Sequence, residues 1–244
     1  MQLTNLQTLP MSEPLADLLS KPPQDSISIF KLNLDTLVKD EQLIIRAHKI
    51  CNQLHAPYRL LLNAVFWDYS RLQAFVSAPS SMEGHHCNIN GNFKHTIEVA
   101  EQLLQFCDTR PYINQDLAIL SALLHDAGKA VEYRPKFGGE LKLTERGRLL
   151  GHKFTSVEWV IEAVAKYNLT LPGNDYMLLL HNLSAVANAP FWMGLRNPAT
   201  PEARFLSFAD QISGFDDLAE QTTKGQNGWG NYHDHLPAKQ IYFS

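Results

Sequence analysis

An all-α helical bundle is the fold this sequence predicts, and three observations predict it. From Glu41 onwards, apolar residues return every three or four positions in one segment after another, the period of a helix with one buried face. Glycine and proline fall mostly between those segments and not inside them. Finally, side chains that suit a metal recur at His95, His125 with Asp126, His152, His181 and Asp210. Their spacings of 30, 26, 29 and 29 residues each match a helix, a turn and the start of the next helix.

Taken in order, residues 1–40 read as an arm. Pro10, Pro14, Pro22 and Pro23 punctuate short pieces, and Ile27, Ile29, Leu32 and Leu34 suggest an extended, half-buried segment. The main domain is expected over 41–220. Its first helix starts at Glu41 with Leu43, Ala47, Ile50 and Leu54 on one face, Pro57 opens a second through Phe66 and Trp67, and a third covers Ser70 to Val76. Ala78 to Ser81 break the pattern, and a polar loop from Gly84 to Gly91 leads into a helix beginning near Asn92, with Phe93, Ile97, Ala100 and Leu104 facing the core. The next helix runs from Asn114 to Asp126 on a stripe of Leu117, Leu120 and Leu124, and Gly128 stops it. Residues 128–143, with Pro135, Gly138 and Gly139, read as a loop or small hairpin.

Leu150, Phe154, Val157, Ile161 and Val164 then repeat at helical spacing, with His152 in that helix's first half. Pro172 and Gly173 interrupt, and Met177, Leu180 and Leu183 mark another helix. Thr200 and Pro201 supply the N-cap and first position of the helix bearing Asp210. Residues 221–244 form a tail, rich in Gly, Gln and Asn from Gln221 to Asn231. The arm and the segment Lys239 to Phe243 are candidates for a minor strand pair at the termini, with each other or with a neighbouring chain, which leaves an oligomer open.

Composition excludes several classes. At 244 residues with 45% hydrophobic and 19% charged side chains, the chain can bury a self-supporting core. Its net charge of −4 gives no global attraction to nucleic acid or an anionic membrane. No apolar run approaches the ~18 residues of a membrane span, and the first basic residue is Lys21, so neither a spanning helix nor a signal peptide is expected. Cys51, Cys87 and Cys107 are few and scattered, which suits reduced thiols in a cytoplasm.

Imidazole and carboxylate together suit a borderline or hard divalent metal. Four histidines and two aspartates exceed what one ion usually takes, so the surplus points to two ions with a bridging group, an arrangement suited to phosphate ester hydrolysis. Taken singly, each histidine has a plainer explanation as a hydrogen-bonded core or surface residue. The aspartates weigh the other way. Asp126 ends the apolar run Leu120–Leu124, and Asp210 sits among Phe205, Leu206, Phe208 and Ile212, where a carboxylate is costly to bury unless paired or bound to a cation.

The pattern His95, His125-Asp126 and Asp210 on successive helices resembles the HD superfamily of metal-dependent phosphohydrolases, and His125-Asp126-Ala127-Gly128-Lys129 matches its signature. The string from Gly84 through His85, His86 and Gly91 to His95, followed by Val99, is similar more narrowly to the branch of YhaM-type 3′-to-5′ exoribonucleases and the HD domain of TraI/MobH-type conjugative relaxases, as is Leu149-Leu150-Gly151-His152. The resemblance covers residues 41–215. It implies an HD-domain helical bundle in which His95, His125, Asp126 and Asp210 hold a first divalent ion and Asp126 bridges to a second held by His152 and His181. The ions would be drawn from Mn, Fe, Co, Ni, Zn or Mg. Two departures matter. Residues 1–40 leave no room for the OB-type domain of the exoribonucleases, which argues against processive RNA degradation. Where the branch often has two adjacent histidines before a glycine, His181 is followed by Asn182 and Leu183.

The expected activity is hydrolysis of a phosphomonoester or phosphodiester in a nucleotide or nucleic-acid 3′ end, by a metal-activated hydroxide. Asp126, Lys129 and Asp210 are the expected catalytic residues. Asp210 would also orient the nucleophile, and Lys129 would stabilise developing negative charge, its alternative being a solvated lysine at a helix end. Between Lys129 and Lys153, seven basic residues, Lys136 among them, face Glu132, Glu140 and Glu145. That surplus is either a solvated flap or a steering surface for a phosphorylated small molecule, with Arg146 and Lys153 as candidate contacts. His86 and its neighbour His85 are candidates for substrate phosphate or the second metal, or plain loop histidines. His233-Asp234-His235 lies in the tail with no apolar helix beneath it and is set aside as a metal site. Phe191 and Trp192 either stack on a base or fill the core. Two other functions stay open: a di-iron oxygenase on the same scaffold, and a non-catalytic metal-stabilised module of nucleic-acid or conjugation machinery.

Overall fold

Two helices organise the core of the computed structural model, which describes residues 12–32, 34–135, 141–224 and 227–243. α6 (Gln115–Leu124) is buried at every position from Leu117 to Leu124, as a helix that is apolar all round must be. α5 (Gly91–Asp108) packs along it, and α10 (Pro201–Thr223) crosses both. Around them stand α2 (Glu41–Gln53), α3 (Ala56–Val65), α4 (Tyr69–Ser77), α8 (Gly151–Tyr167) and α9 (Asp175–Ser184), with the short α1 (Glu13–Leu19) and α7 (Glu145–Leu149). Asp40, Asp68, Asn114 and Thr200 accept amide hydrogens as N-caps of α2, α4, α6 and α10, and Pro201 opens α10. The fold is all-α, with two small antiparallel strand pairs among the described residues.

The extended segment expected near the N-terminus is instead a pair of 3-10 turns, Ile29–Lys31 and Leu34–Thr36. Ile29, Phe30, Leu34 and Val38 are buried in the main core, with the Phe30 ring 5.4 Å from Phe93 and 6.3 Å from Phe66. Asn63 fastens the segment: its Nδ2 donates to the Gln24 and Ile27 carbonyls, and its Oδ1 accepts the Ile29 amide. Four apolar residues are too few to separate a strand's period from successive turns. Pro10 lies outside the described residues.

α6 ends at Leu124 and not at Asp126, and the chain continues as a 3-10 turn over Ala127–Val131. Gly128 therefore does not stop a helix. A Cβ there would stand 2.2 Å from the His152 carbonyl oxygen, so glycine is needed for α8 to approach this turn.

The buried face of α8 is Thr155, Ser156, Trp159, Val160 and Ala163, whereas Leu150, Phe154 and Ile161 of the expected stripe are exposed. In α9 the core residues are Leu179 and Leu183, with Met177 exposed.

The hairpin expected before α7 is present as β1 (Tyr133–Pro135) against β2 (Leu141–Leu143); Lys136, Gly138, Gly139 and Glu140 lie outside the described residues. At the C-terminus, α10 runs to Thr223. β3 (Gly228–Trp229) pairs with β4 (Ile241–Tyr242) inside the tail, and not with the N-terminal segment. Among the described residues no helix is long and apolar enough to cross a membrane.

Phe30→Ala should cost about 3–5 kcal/mol in denaturant unfolding, the loss expected for a fully buried aromatic. A change below about 1 kcal/mol would show that the N-terminal segment is not part of the cooperative core.

Candidate metal centre

Four elements meet around two aspartates. α5 carries His95, the turn after α6 carries His125 and Asp126, the start of α8 carries His152, and α10 carries Asp210. His95 Nε2 lies 3.0 Å from Asp210 Oδ1 and 3.6 Å from Asp126 Oδ2. His125 Nε2 lies 3.9 Å from Asp210 Oδ1 and 3.4 Å from Asp126 Oδ2. The other oxygen of Asp126, Oδ1, is 3.4 Å from His152 Nε2. One donor atom each from His95, His125 and Asp210 fall within 4.8 Å of one another, close enough to share one ion.

The remaining ring nitrogens decide what these histidines can do. His125 Nδ1 donates to the Ala122 carbonyl at 2.7 Å. Ser213 Oγ gives its hydrogen to Glu98 Oε2 at 2.7 Å, so it is the acceptor for His95 Nδ1 at 3.0 Å. His152 Nδ1 lies 2.8 Å from Glu132 Oε2, which can only accept. In each ring Nδ1–H is thereby fixed, and the Nε2 lone pair faces the carboxylates. His95 Nε2 and His125 Nε2 are buried and lack a hydrogen-bond partner. Two orphaned lone pairs beside two carboxylates are unfavourable as they stand, and a divalent cation would satisfy all of them. The donor set of imidazoles and carboxylates fits a borderline divalent metal.

The charges agree with that geometry. Burial works to raise the Asp126 carboxyl, but His125, Lys129, His152 and His95 hold it well below the usual carboxylate range. Burial pushes the His125 imidazole down, against the pull of Asp126 and Asp210, which favours the neutral ring a metal requires. Lys129 is no solvated lysine: it is buried, with Nζ 2.6 Å from Asp126 Oδ2, and it donates to Ser80 Oγ at 3.2 Å.

Other candidates take different parts. His181 Nε2 accepts the Ala199 amide at 3.0 Å, so the lone pair expected to bind a second ion is committed to the backbone. His86 is buried with Nε2 3.0 Å from Glu98 and Nδ1 3.3 Å from Asp217, and its amide donates to Asp217. It braces the loop against α10, which corrects the expectation that it meets substrate phosphate. His85 is the histidine beside the cluster, its ring centroid 5.1 Å from that of His95. Burial, with the neighbouring charges of His95, Lys129 and His86, pushes it down to about 4.

Arg146 is turned back onto α8, donating from Nε to Thr155 at 3.0 Å and pairing with Glu158, so its charge is already balanced. Lys153 is half-buried beside His152. Phe191 and Trp192 are 77% and 84% exposed, with the Arg196 guanidinium over the Phe191 ring, and do not fill the core. Glu98, Ser213 and Glu132 were not singled out from sequence as partners of the ligand histidines. Glu98 follows His95, and Ser213 follows Asp210, by one helical turn, a spacing that places each on its ligand's face. Glu132 carries no such signal.

The family model described as HD domain matches residues 92–214, half of the chain. No curated protein and no solved structure matches it.

Glu98 links this site to acid stability. Burial would raise its carboxyl, but hydrogen bonds from His86 and Ser213 and the charges of His86 and Lys94 bring it from the ordinary 4.5 to about 2. The folded value is the lower one, so its stabilising contribution is complete above 4.5 and is lost as pH falls towards about 2. Melting temperatures should decline through that window, and Glu98→Gln should flatten this part of the profile while lowering stability at neutral pH. Superimposable acid profiles would rule out this assignment.

Proposed function

The chain belongs to the HD-domain family, most of whose members are metal-dependent hydrolases, and on that premise we propose a phosphomonoesterase or phosphodiesterase with a two-ion centre. The observation that carries the reading is the division of the Asp126 carboxylate. Oδ2 faces His95 and His125, and Oδ1 faces His152, as a bridging carboxylate would. His95, His125, Asp126 and Asp210 would hold one ion, and Asp126 with His152 would contribute to the second. His181 is left out of this set because its Nε2 is already bonded to the Ala199 amide. Bound divalent metal supplies Lewis acidity for the phosphoryl oxygens and makes a coordinated water more acidic.

The chain's own side chains do the rest. Asp210 is the more open of the two aspartates, its side chain 47% exposed against 5% for Asp126. It is therefore the carboxylate that an incoming water can reach, and it would orient that water. Lys129 balances the Asp126 charge and adds a fixed cation to the cluster, which favours negative charge developing on phosphorus-bound oxygens. A nucleotide or nucleic-acid 3′ end is the proposed substrate class, because the Gly84–His95 and Leu149–His152 strings resemble the exoribonuclease and relaxase branch.

Manganese-loaded protein should hydrolyse at least one of a cyclic dinucleotide, a nucleoside monophosphate or a short single strand, and Asp126→Ala should abolish turnover. Absence of any phosphoester cleavage with Mn, Fe, Co, Ni, Zn or Mg would overturn the reading. Ser213→Ala removes the acceptor for His95 Nδ1–H and should weaken manganese binding by roughly 10–100-fold in titration calorimetry. Unchanged affinity would mean that the Ser213 contact does not set the ring.

A further inference from the structure

Beside Asp210 lies a cavity of about 470 Å³ walled by three parts of the chain: His85 from the loop before α5, Asp210, Gln211 and Phe215 from α10, and His235 and Leu236 from the tail. Pockets for small organic ligands run to roughly 300–1,000 Å³. Two glycines shape this one. At Gly214 a Cβ would stand 3.2 Å from His85 Nδ1, and at Gly84 a Cβ would stand 3.1 Å from His235 Nδ1, so each imidazole lies directly on backbone.

The tail wall is fastened to α10. The Asn231 amide donates to the Thr222 carbonyl of α10 at 2.9 Å, the Gly230 amide donates to the Gln240 carbonyl within the tail at 2.8 Å, and Leu236 is buried. A Cβ at Gly230 would stand 2.6 Å from the Thr222 oxygen, so only glycine lets the tail come this near. The cavity also adjoins the metal cluster. Asp210 belongs to both, and Ser80 Oγ lies 3.3 Å from His85 Nε2 while accepting Lys129 Nζ at 3.2 Å.

We infer that this cavity receives the organic half of the phosphoester, that this half is a nucleoside, and that His235 of the tail is one of its binding residues. The inference rests on the phosphohydrolase reading and names the substrate of that site. An ester held at the cluster beside Asp210 has its substituent in the adjoining space. The wall offers an aromatic face at Phe215, 42% exposed, and an aliphatic side at Leu236. Its polar groups are an amide and two imidazoles. Gln211 Nε2 donates one hydrogen to Ser207, which leaves its second N–H and the amide oxygen for a ligand. Such a wall matches a heteroaromatic ring with donors and acceptors along its edge. An alkyl group would offer these polar side chains no further partner, and a second phosphate would meet the Asp210 carboxylate with no lysine or arginine on the wall among the described residues. His85, Phe215 and His235 lie outside the span of the family match, so the segments flanking that span supply part of the wall.

The non-hydrolysable methylenephosphonate analogue of adenosine monophosphate and inorganic phosphate, titrated separately into the manganese-loaded full chain, test this directly. Wild type should bind the nucleotide at least roughly tenfold more tightly than phosphate, the margin expected from stacking one base. His235→Ala and Phe215→Ala should each lose most of that margin, with manganese stoichiometry retained as the check on folding. Equal affinities in the wild type, or a margin that survives both substitutions, overturn the inference. Hydrolysis of p-nitrophenyl phosphate and of bis(p-nitrophenyl) phosphate, assayed alongside with Mn, Fe, Co, Ni, Zn and Mg in turn, separates the pocket from the hydrolase reading. Turnover of either small ester without a nucleotide margin sinks the pocket alone, and a nucleotide margin that depends on His235 with neither ester cleaved sinks the hydrolase reading while the pocket stands.

Discussion

A single buried carboxylate governs the arrangement of this protein. Asp126 is 4% exposed at the end of a helix whose last eight residues are all buried. Ionised in such a place it costs several kcal/mol unless cations balance it: Lys129 is one, and the three imidazole nitrogens turned towards it are placed for a divalent ion to complete the balance. The partners come from separate elements: Lys129 from the turn beyond, His95 from α5 and His152 from α8, with Asp210 of α10 completing the cluster through His95 and His125. The backbone is held as firmly as the side chain, since Asn92 Nδ2 donates to the Asp126 carbonyl and Ser156 Oγ receives the Gly128 amide while donating to the His125 carbonyl.

That constraint explains why α8 presents small polar residues to the core. Ser156 must reach both sides of the Asp126 turn, and Thr155 packs where Gly128 leaves room. The helix is therefore rotated so that Thr155, Ser156 and Ala163 face inward, and Phe154 and Ile161 are left partly in water. Exposing parts of two apolar side chains sacrifices a few kcal/mol at most, whereas another rotation of α8 would leave the buried Gly128 amide unpaired and take His152 Nε2 away from Asp126 Oδ1. A hydrophobic stripe describes a helix whose burial is decided by area. In α8 it is decided by two hydrogen bonds.

The same distinction marks how far the sequence could be read. α2 to α6 and α10 follow the apolar period and were legible to within a residue or two; of their caps only Thr200 was read in advance, and the structure adds Asp40 and Asp68 as local amide acceptors. The meeting of His95, His125 and Asp210 was legible because metal-ligating residues in apolar surroundings contradict burial energetics unless they share a partner. The N-terminal turns and the face of α8 were not, because Phe30 and Ser156 owe their places to residues distant in sequence, Phe93 and Gly128 respectively. The contact of the tail with α10 was not legible for a related reason. Nothing local in His233-Asp234-His235 shows that Gly230 lets it close against Thr222 of α10.

Spacing could bring six histidines into consideration, but only the second nitrogen of each ring tells them apart. His95, His125 and His152 each have Nδ1 on an acceptor, which turns a lone pair towards the carboxylates. His181 has its lone pair on a backbone amide, and His86 has a carboxylate at both nitrogens, so neither ring has a free donor atom to offer a metal. His85, with Nε2 near only a serine hydroxyl and its ring against Gly214, is left to face the cavity beside Asp210. The division between ligand, brace and pocket wall thus follows from hydrogen-bond partners one layer behind the site: Glu98 through Ser213, Glu132, and the Ala122 carbonyl. Those partners are a glutamate pair, a serine and a peptide group, the commonest polar groups in any helical protein, and they acquire meaning only once the fold has placed them against a particular ring nitrogen.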